Sequence, residues 1–160
     1  QMCIRDSYSV VIPLLLGAAL RGASDSLIEQ LEGFATPLGV AYQLRDDDLG
    51  IFGDQELTGK PAGDDIRSGK RTVQLALAWE MTDAPGLDYL MRYWGAPDLT
   101  PPIIDNICAI ITGSGARHAI SDLMNEHLEQ SQKYLDAMPC ETEVKRQLAA
   151  FGSALVNRAN

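Results

Sequence analysis

The chain has 160 residues, 46% of them hydrophobic and 22% charged, with a formal net charge of −9. That length fits one domain with a real core, no stretch approaches the ~18 charge-free apolar residues of a membrane span, and the acidic balance argues against nucleic acid, whose binding takes clustered Lys and Arg. Cys3, Cys108 and Cys140 are odd in number, widely separated and without metal-ligand spacing, so reduced thiols in the cytoplasm are expected.

Taken in order, the pattern is helical almost throughout, and the predicted fold class is all-α. Residues 10–20 are apolar but short and interrupted by Pro13; without a basic leader they do not read as a signal peptide, and a buried helix is expected. Leu27, Leu31, Phe34, Leu38, Ala41 and Tyr42 recur at helical spacing behind Ser24 or Asp25 as N-cap, which predicts one long helix running into Asp46, Asp47 and Asp48. A Gly-rich loop over 58–72 follows. Residues 72–79 start the next helix, and a short one over 87–94 comes after Pro85 and Gly86. Thr100 with Pro101 and Pro102 reads as an N-cap and first turn, and Gly113 stops that helix. The last two helices cover 117–138, ended by Pro139, and 141–156. Phe34, Trp79 and Trp94 are expected in the core, while His118 and His127 read as capping or solvated residues. No hairpin signal, repeat or low-complexity tract appears.

The chemistry concentrates in residues 39–72. On a helical wheel Gly39, Gln43, Asp46, Asp47 and Gly50 share an arc of roughly 100°, whereas Arg45, Asp48 and Phe52 point elsewhere. Asp46 and Asp47 therefore form the acidic pair, and the wheel sets Asp48 apart as dispensable to it. Two glycines leave the stripe open to a bulky ligand. Adjacent carboxylates are hard ligands suited to Mg²⁺, which takes one or two from a protein and completes its shell with water and substrate phosphates. A solvated acidic helix face is the default for such a triplet in isolation. The downstream loop shifts the balance, because Lys60 and Lys70 stand among glycines and offer point charges for phosphate oxygens.

Gly39, Tyr42, Gln43, Leu44, Asp46 and Asp47, then Gly59, Lys60, Gly63 and Asp65, then Gly69, Lys70 and Thr72 together resemble the second aspartate-rich region of the polyprenyl synthetase family, the trans-isoprenyl diphosphate synthases. There the pattern reads G-x-x-[FY]-Q-[IL]-x-D-D-x-x-D, followed by G-K-x-x-G-x-D and G-K-x-T. The likeness extends from about Tyr8 to Arg158. It implies an antiparallel helical bundle of the isoprenoid synthase type around a deep cavity, here truncated to its C-terminal part. It further implies a Mg²⁺-dependent prenyltransferase that ionises an allylic diphosphate and couples it 1'-4, head to tail, with isopentenyl diphosphate. In that reading Asp46 and Asp47 are catalytic and hold the metal, Lys60 and Lys70 bind diphosphate, and Gln43 lines the cavity near the cation.

Two departures qualify the expectation. Gly50 stands where the motif has its last aspartate. The family's first aspartate-rich motif is absent from the 160 residues, as are the basic residues that hold isopentenyl diphosphate, and Ile4 and Arg5 replace an expected Lys-Thr pair. Residues 1–7 accordingly read as a non-native leader and 8–160 as the C-terminal part of a synthase domain. Half a bundle leaves apolar faces uncovered, so a homo-oligomer, a dimer, is expected. The alternatives are a non-catalytic partner subunit or degenerate homologue of such a synthase, and a terpenoid cyclase, which shares the ionisation chemistry but lacks the Gly-Lys loop.

Overall fold

The computed structural model describes residues 7–53 and 62–157, with side chains from Ser9 onward. A π-helical turn, Ser7–Val11, leads into α1 (Ile12–Leu20) and the long α2 (Asp25–Phe52); then come α3 (Asp64–Arg67), α4 (Val73–Met81), α5 (Ala84–Tyr93), α6 (Pro101–Gly113), α7 (Ala116–Ala137) and α8 (Thr142–Val156). No strand occurs among the described residues, so the all-α expectation holds. The leader over 1–7 falls, apart from Ser7, outside the described residues.

The chain divides into two compact units, one of residues 1–43 and 123–158, the other centred on 44–122. In the first, Val10, Val11, Leu31, Phe34, Ala35, Leu38, Leu135 and Met138 form the core. Leu31, Ala35 and Leu38 recur at helical spacing, so one stripe of α2 is buried. Pro37 interrupts that stretch of helix and removes the N–H that would bond the Gly33 carbonyl. At the same place Gly33 lets the Tyr134 ring of α7 lie where a side chain would stand, and the buried Ser131 hydroxyl donates to the Phe34 carbonyl at 2.8 Å. Close backbone approach and a hydrogen bond thus secure α7 against α2 where the helix has lost one of its own bonds.

The expected buried helix over 10–20 needs correction. Val10 and Val11 are buried, and Leu14, Leu15 and Ala18 pack on the core, yet α1 has no fully buried residue. Ile12, Leu16 and Leu20, at i, i+4 and i+8, are 51%, 56% and 78% exposed. Only one stripe of α1 finds a partner among the described residues.

In the second unit Ile104, Ile107 and Ile111, one stripe of α6, meet Ile51, Ile66, Ala78, Leu90 and Ala116. Helices α4, α5 and α6 pack mutually. Helix α5 begins three residues earlier than the sequence suggests: Asp83 is the N-cap, its Oδ1 accepting from the Gly86 N–H at 2.9 Å, and Pro85 occupies the first turn, where a missing N–H costs nothing. Trp94 packs at the edge of this core. Trp79, expected inside, is 40% exposed, because the stripe of α4 that faces inward is carried by Gln74, Leu75 and Ala78.

Candidate functional site

Helix α2 brings Asp46, Asp47 and Asp48 to its C-terminal part, in the second unit, and the segment over 62–72 returns beside them. Asp47 and Asp48 are each 4% exposed, and Asp46 is half-buried. Across from Asp47 stands Lys70. Its ammonium donates to Asp47 Oδ1 at 2.9 Å and to Asp65 Oδ2 at 2.8 Å, so one cation joins two carboxylates that are 18 positions apart in the chain.

The turn that delivers Lys70 is built by glycine. Gly63 and Gly69 adopt φ of +77° and +63°, a left-handed region that L side chains avoid. Between them α3 makes a single turn, and the Lys70 N–H returns to the Asp65 carbonyl at 3.0 Å. Gly69 also comes against the Cα of Gly95, and the Gly95 N–H donates to the Ile66 carbonyl at 2.9 Å. Trp94 completes the attachment, its indole Nε1–H donating to the Lys70 carbonyl at 3.1 Å. Lys70 is therefore fixed from its backbone as well as from its side chain.

Electrostatics follow from this geometry. Burial pushes the Asp65 carboxyl up, the neighbouring Asp47 and Asp46 add to that rise, and Lys70 opposes it. Burial works against the Lys70 ammonium too, but its hydrogen bonds to Asp65 and Asp47 outweigh it and hold the group above the ordinary lysine value. Both shifts are upward, so the one on Asp65 favours its neutral form and the one on Lys70 its charged form. Two N–H···O contacts below 3 Å decide for the charged form of Lys70.

Asp48 has a different role from the one the wheel leaves it. Its carboxylate accepts from Arg117 Nε at 3.1 Å and from the buried Gln74 Nε2 at 3.3 Å, with Arg45 Nη1 3.6 Å away. The Arg117 guanidinium lies 3.9 Å over the Phe52 ring. Asp48 does face away from Lys70, but it ties α2 to α4 and to the start of α7. It is a structural hub, so dispensability is not expected of it.

Of the remaining sequence candidates, Gln43 is 5% exposed on α2 and belongs to the first unit, while Lys60 lies outside the described residues. Thr72, which matches the pattern, acts as the N-cap of α4: its Oγ1 accepts from the Leu75 N–H at 3.2 Å. Thr72→Ala is expected to lower stability by about 1 kcal/mol, and Thr72→Ser to retain most of it, as read by chemical denaturation. His118 is exposed beside Asp122, in keeping with a solvated histidine. Arg117 and Gln74 were beyond sequence reasoning, being 69 and 26 positions from the aspartate they bind.

Among the described residues no three His, Cys, Asp or Glu side chains are arranged to hold a metal. This donor set fits Mg²⁺ all the same, since that ion takes only one or two carboxylates from a protein when phosphate oxygens and water supply the rest. Asp46 and Asp47 are the candidates for that role.

A family model described as Polyprenyl synthetase matches residues 5–96, more than half of the chain. The chain is 30% identical over 114 residues to the geranylgeranyl diphosphate synthase of Mycobacterium tuberculosis, covering 71% of this chain and 33% of that one. It is 27% identical over 142 residues to the short chain isoprenyl diphosphate synthase of Methanothermobacter thermautotrophicus, covering 89% and 43%. Its fold matches the crystal structure of geranylgeranyl pyrophosphate synthase from Corynebacterium glutamicum, complexed with isoprenyl diphosphate and magnesium, with a TM-score of 0.91 and 37% identity over 96% of this chain and 43% of that one. The chain spans less than half the length of these relatives.

Proposed function

Since the chain belongs to the polyprenyl synthetase family, a family of prenyltransferases, we propose that residues 39–72 supply the second aspartate-rich region of an isoprenyl diphosphate synthase. The observation that carries this reading is the Lys70 ammonium, a half-buried cation held between Asp47 and Asp65. Acidic and basic groups meet there with no apolar purpose, which suits a ligand that is itself a highly charged anion.

Asp46 and Asp47 would hold magnesium, and when bound that ion supplies positive charge against the diphosphate oxygens. Lys70 and Lys60 add fixed positive charge to the same anion, and Gln43 presents a polar group one turn earlier on the helix. The substrates are an allylic diphosphate and isopentenyl diphosphate. As the allylic C–O bond breaks, negative charge grows on the leaving diphosphate, and preorganised cations stabilise it most at that moment. The isopentenyl double bond then attacks the allylic carbon, and the resulting cation passes a proton to the departing diphosphate. No general base among the named residues is required.

The odd, widely spaced cysteines fit a reducing compartment such as the cytoplasm, and no helix among the described residues is long and apolar enough to cross a membrane. The uncovered Ile12, Leu16 and Leu20 stripe favours a homo-oligomer, a dimer.

The test uses a chimaera that joins the N-terminal half of a homologous synthase to this chain from residue 8 onward. With Mg²⁺, an allylic diphosphate and isopentenyl diphosphate it is expected to release an elongated prenyl diphosphate, while the 160-residue chain alone does not turn over. Condensation by the 160-residue chain, or a folded chimaera with no activity, counts against the reading. Gly50 also favours a second one, a non-catalytic partner subunit, for which a folded but silent chimaera is the expected result.

A further inference from the structure

Gly50 and Asp65 occupy one space. A Cβ built on Gly50 would fall far inside van der Waals contact distance of the Asp65 carboxyl carbon, and 2.8 Å from Oδ1. The Asp65 carboxylate thus stands where the side chain of residue 50 would be, one turn beyond Asp46 and Asp47, and from there accepts the Lys70 ammonium at 2.8 Å. An ordinary ion pair would tolerate a methyl group on a neighbouring helix. This one does not, because the carboxylate has seated itself against bare backbone.

We infer that Asp65 is a positioning residue: lodged over Gly50, it replaces the carboxylate that a residue-50 side chain would supply and holds Lys70 against Asp47, so that Gly50 and Asp65 act as one unit. The inference rests on the proposed role of Lys70 in diphosphate binding. Two consequences separate it from a merely structural contact. Gly50→Ala removes no charge and no hydrogen bond and ordinarily favours a helix, yet it must displace Asp65 and release Lys70. Moving the carboxylate from residue 65 to residue 50 must restore what either single change loses.

The experiment follows the Lys70 ammonium directly, by ¹⁵N-edited NMR of lysine side chains in the 160-residue chain, its signal assigned by its loss in Lys70→Gln. Binding of inorganic diphosphate, with and without Mg²⁺, is measured by calorimetry on the same samples. In the wild-type chain the Lys70 ammonium is expected to exchange slowly with water. Asp65→Asn, which keeps the side-chain shape, and Gly50→Ala should both speed that exchange and weaken diphosphate binding about ten-fold, the size of one charge-assisted hydrogen bond. The double change Gly50→Asp with Asp65→Ser should recover both. Unchanged Lys70 exchange in Asp65→Asn and Gly50→Ala overturns the inference, as does failure of the double change to recover it in a folded chain. If exchange responds as expected but Lys70→Gln leaves diphosphate binding intact, positioning stands and the proposed function of Lys70 falls.

Discussion

Asp46→Ala and Asp47→Ala, introduced into the chimaeric synthase, are each expected to lower kcat by about 10²–10³, the loss that follows removal of one preorganised electrostatic group. The effect falls on kcat because the metal matters most as charge develops on the leaving diphosphate. The two variants should nevertheless differ. Asp47 also holds the Lys70 ammonium at 2.9 Å, so its loss leaves that cation on Asp65 alone and raises KM as well. Asp46 is half-buried and should show the cleaner kcat effect. Steady-state kinetics at saturating Mg²⁺ provide the check, and near-normal turnover by Asp46→Ala would mean that the metal ligands have been misassigned.

Asp48→Ala is expected to be costly to the fold, lowering stability by about 2–3 kcal/mol. The arginines add little to this loss. The Arg117 side chain is 46% exposed, so its ion pair is screened by water and contributes little. The weight lies with Gln74, which is fully buried: without Asp48 its Nε2 loses this partner, and its Oε1 already has none among the described residues. Asp48→Asn keeps an acceptor for Gln74 and should cost roughly half as much. Denaturant titration of the 160-residue chain at constant m-value reads both. A loss below ~1 kcal/mol for Asp48→Ala would show that water already satisfies the cluster.

Local physics wrote much of this structure into the sequence. The Thr100-Pro101-Pro102 start, the stops at Gly113 and Pro139 and the apolar pattern between them placed α4, α6, α7 and α8 to within about two residues, and the helical wheel separated Asp48 from Asp46 and Asp47 because 100° per residue is a property of the backbone alone. What could not be read depends on which segments meet. Pro85 and Gly86 look like a break until Asp83 is seen capping them. Trp79 looks like core until Leu75 and Ala78 are found to occupy the inward stripe of α4. Asp65 belongs to a recognisable pattern, yet its use of the space over Gly50 is a tertiary fact. Arg117 carries no local signal at all, since its partner lies on another helix.

The indole of Trp94, hydrogen-bonded to the Lys70 carbonyl, gives the molecule an optical handle. The chain has two tryptophans, and Trp79 sits on α4, 40% exposed and outside this contact. Emission from Trp94 is therefore tied to the segment that carries the cation: any event that shifts Lys70 by its backbone alters the polarity and hydrogen bonding felt by that ring. Replacing Trp79 by Phe isolates this signal, so movement of the loop can be timed by stopped flow without attaching a dye.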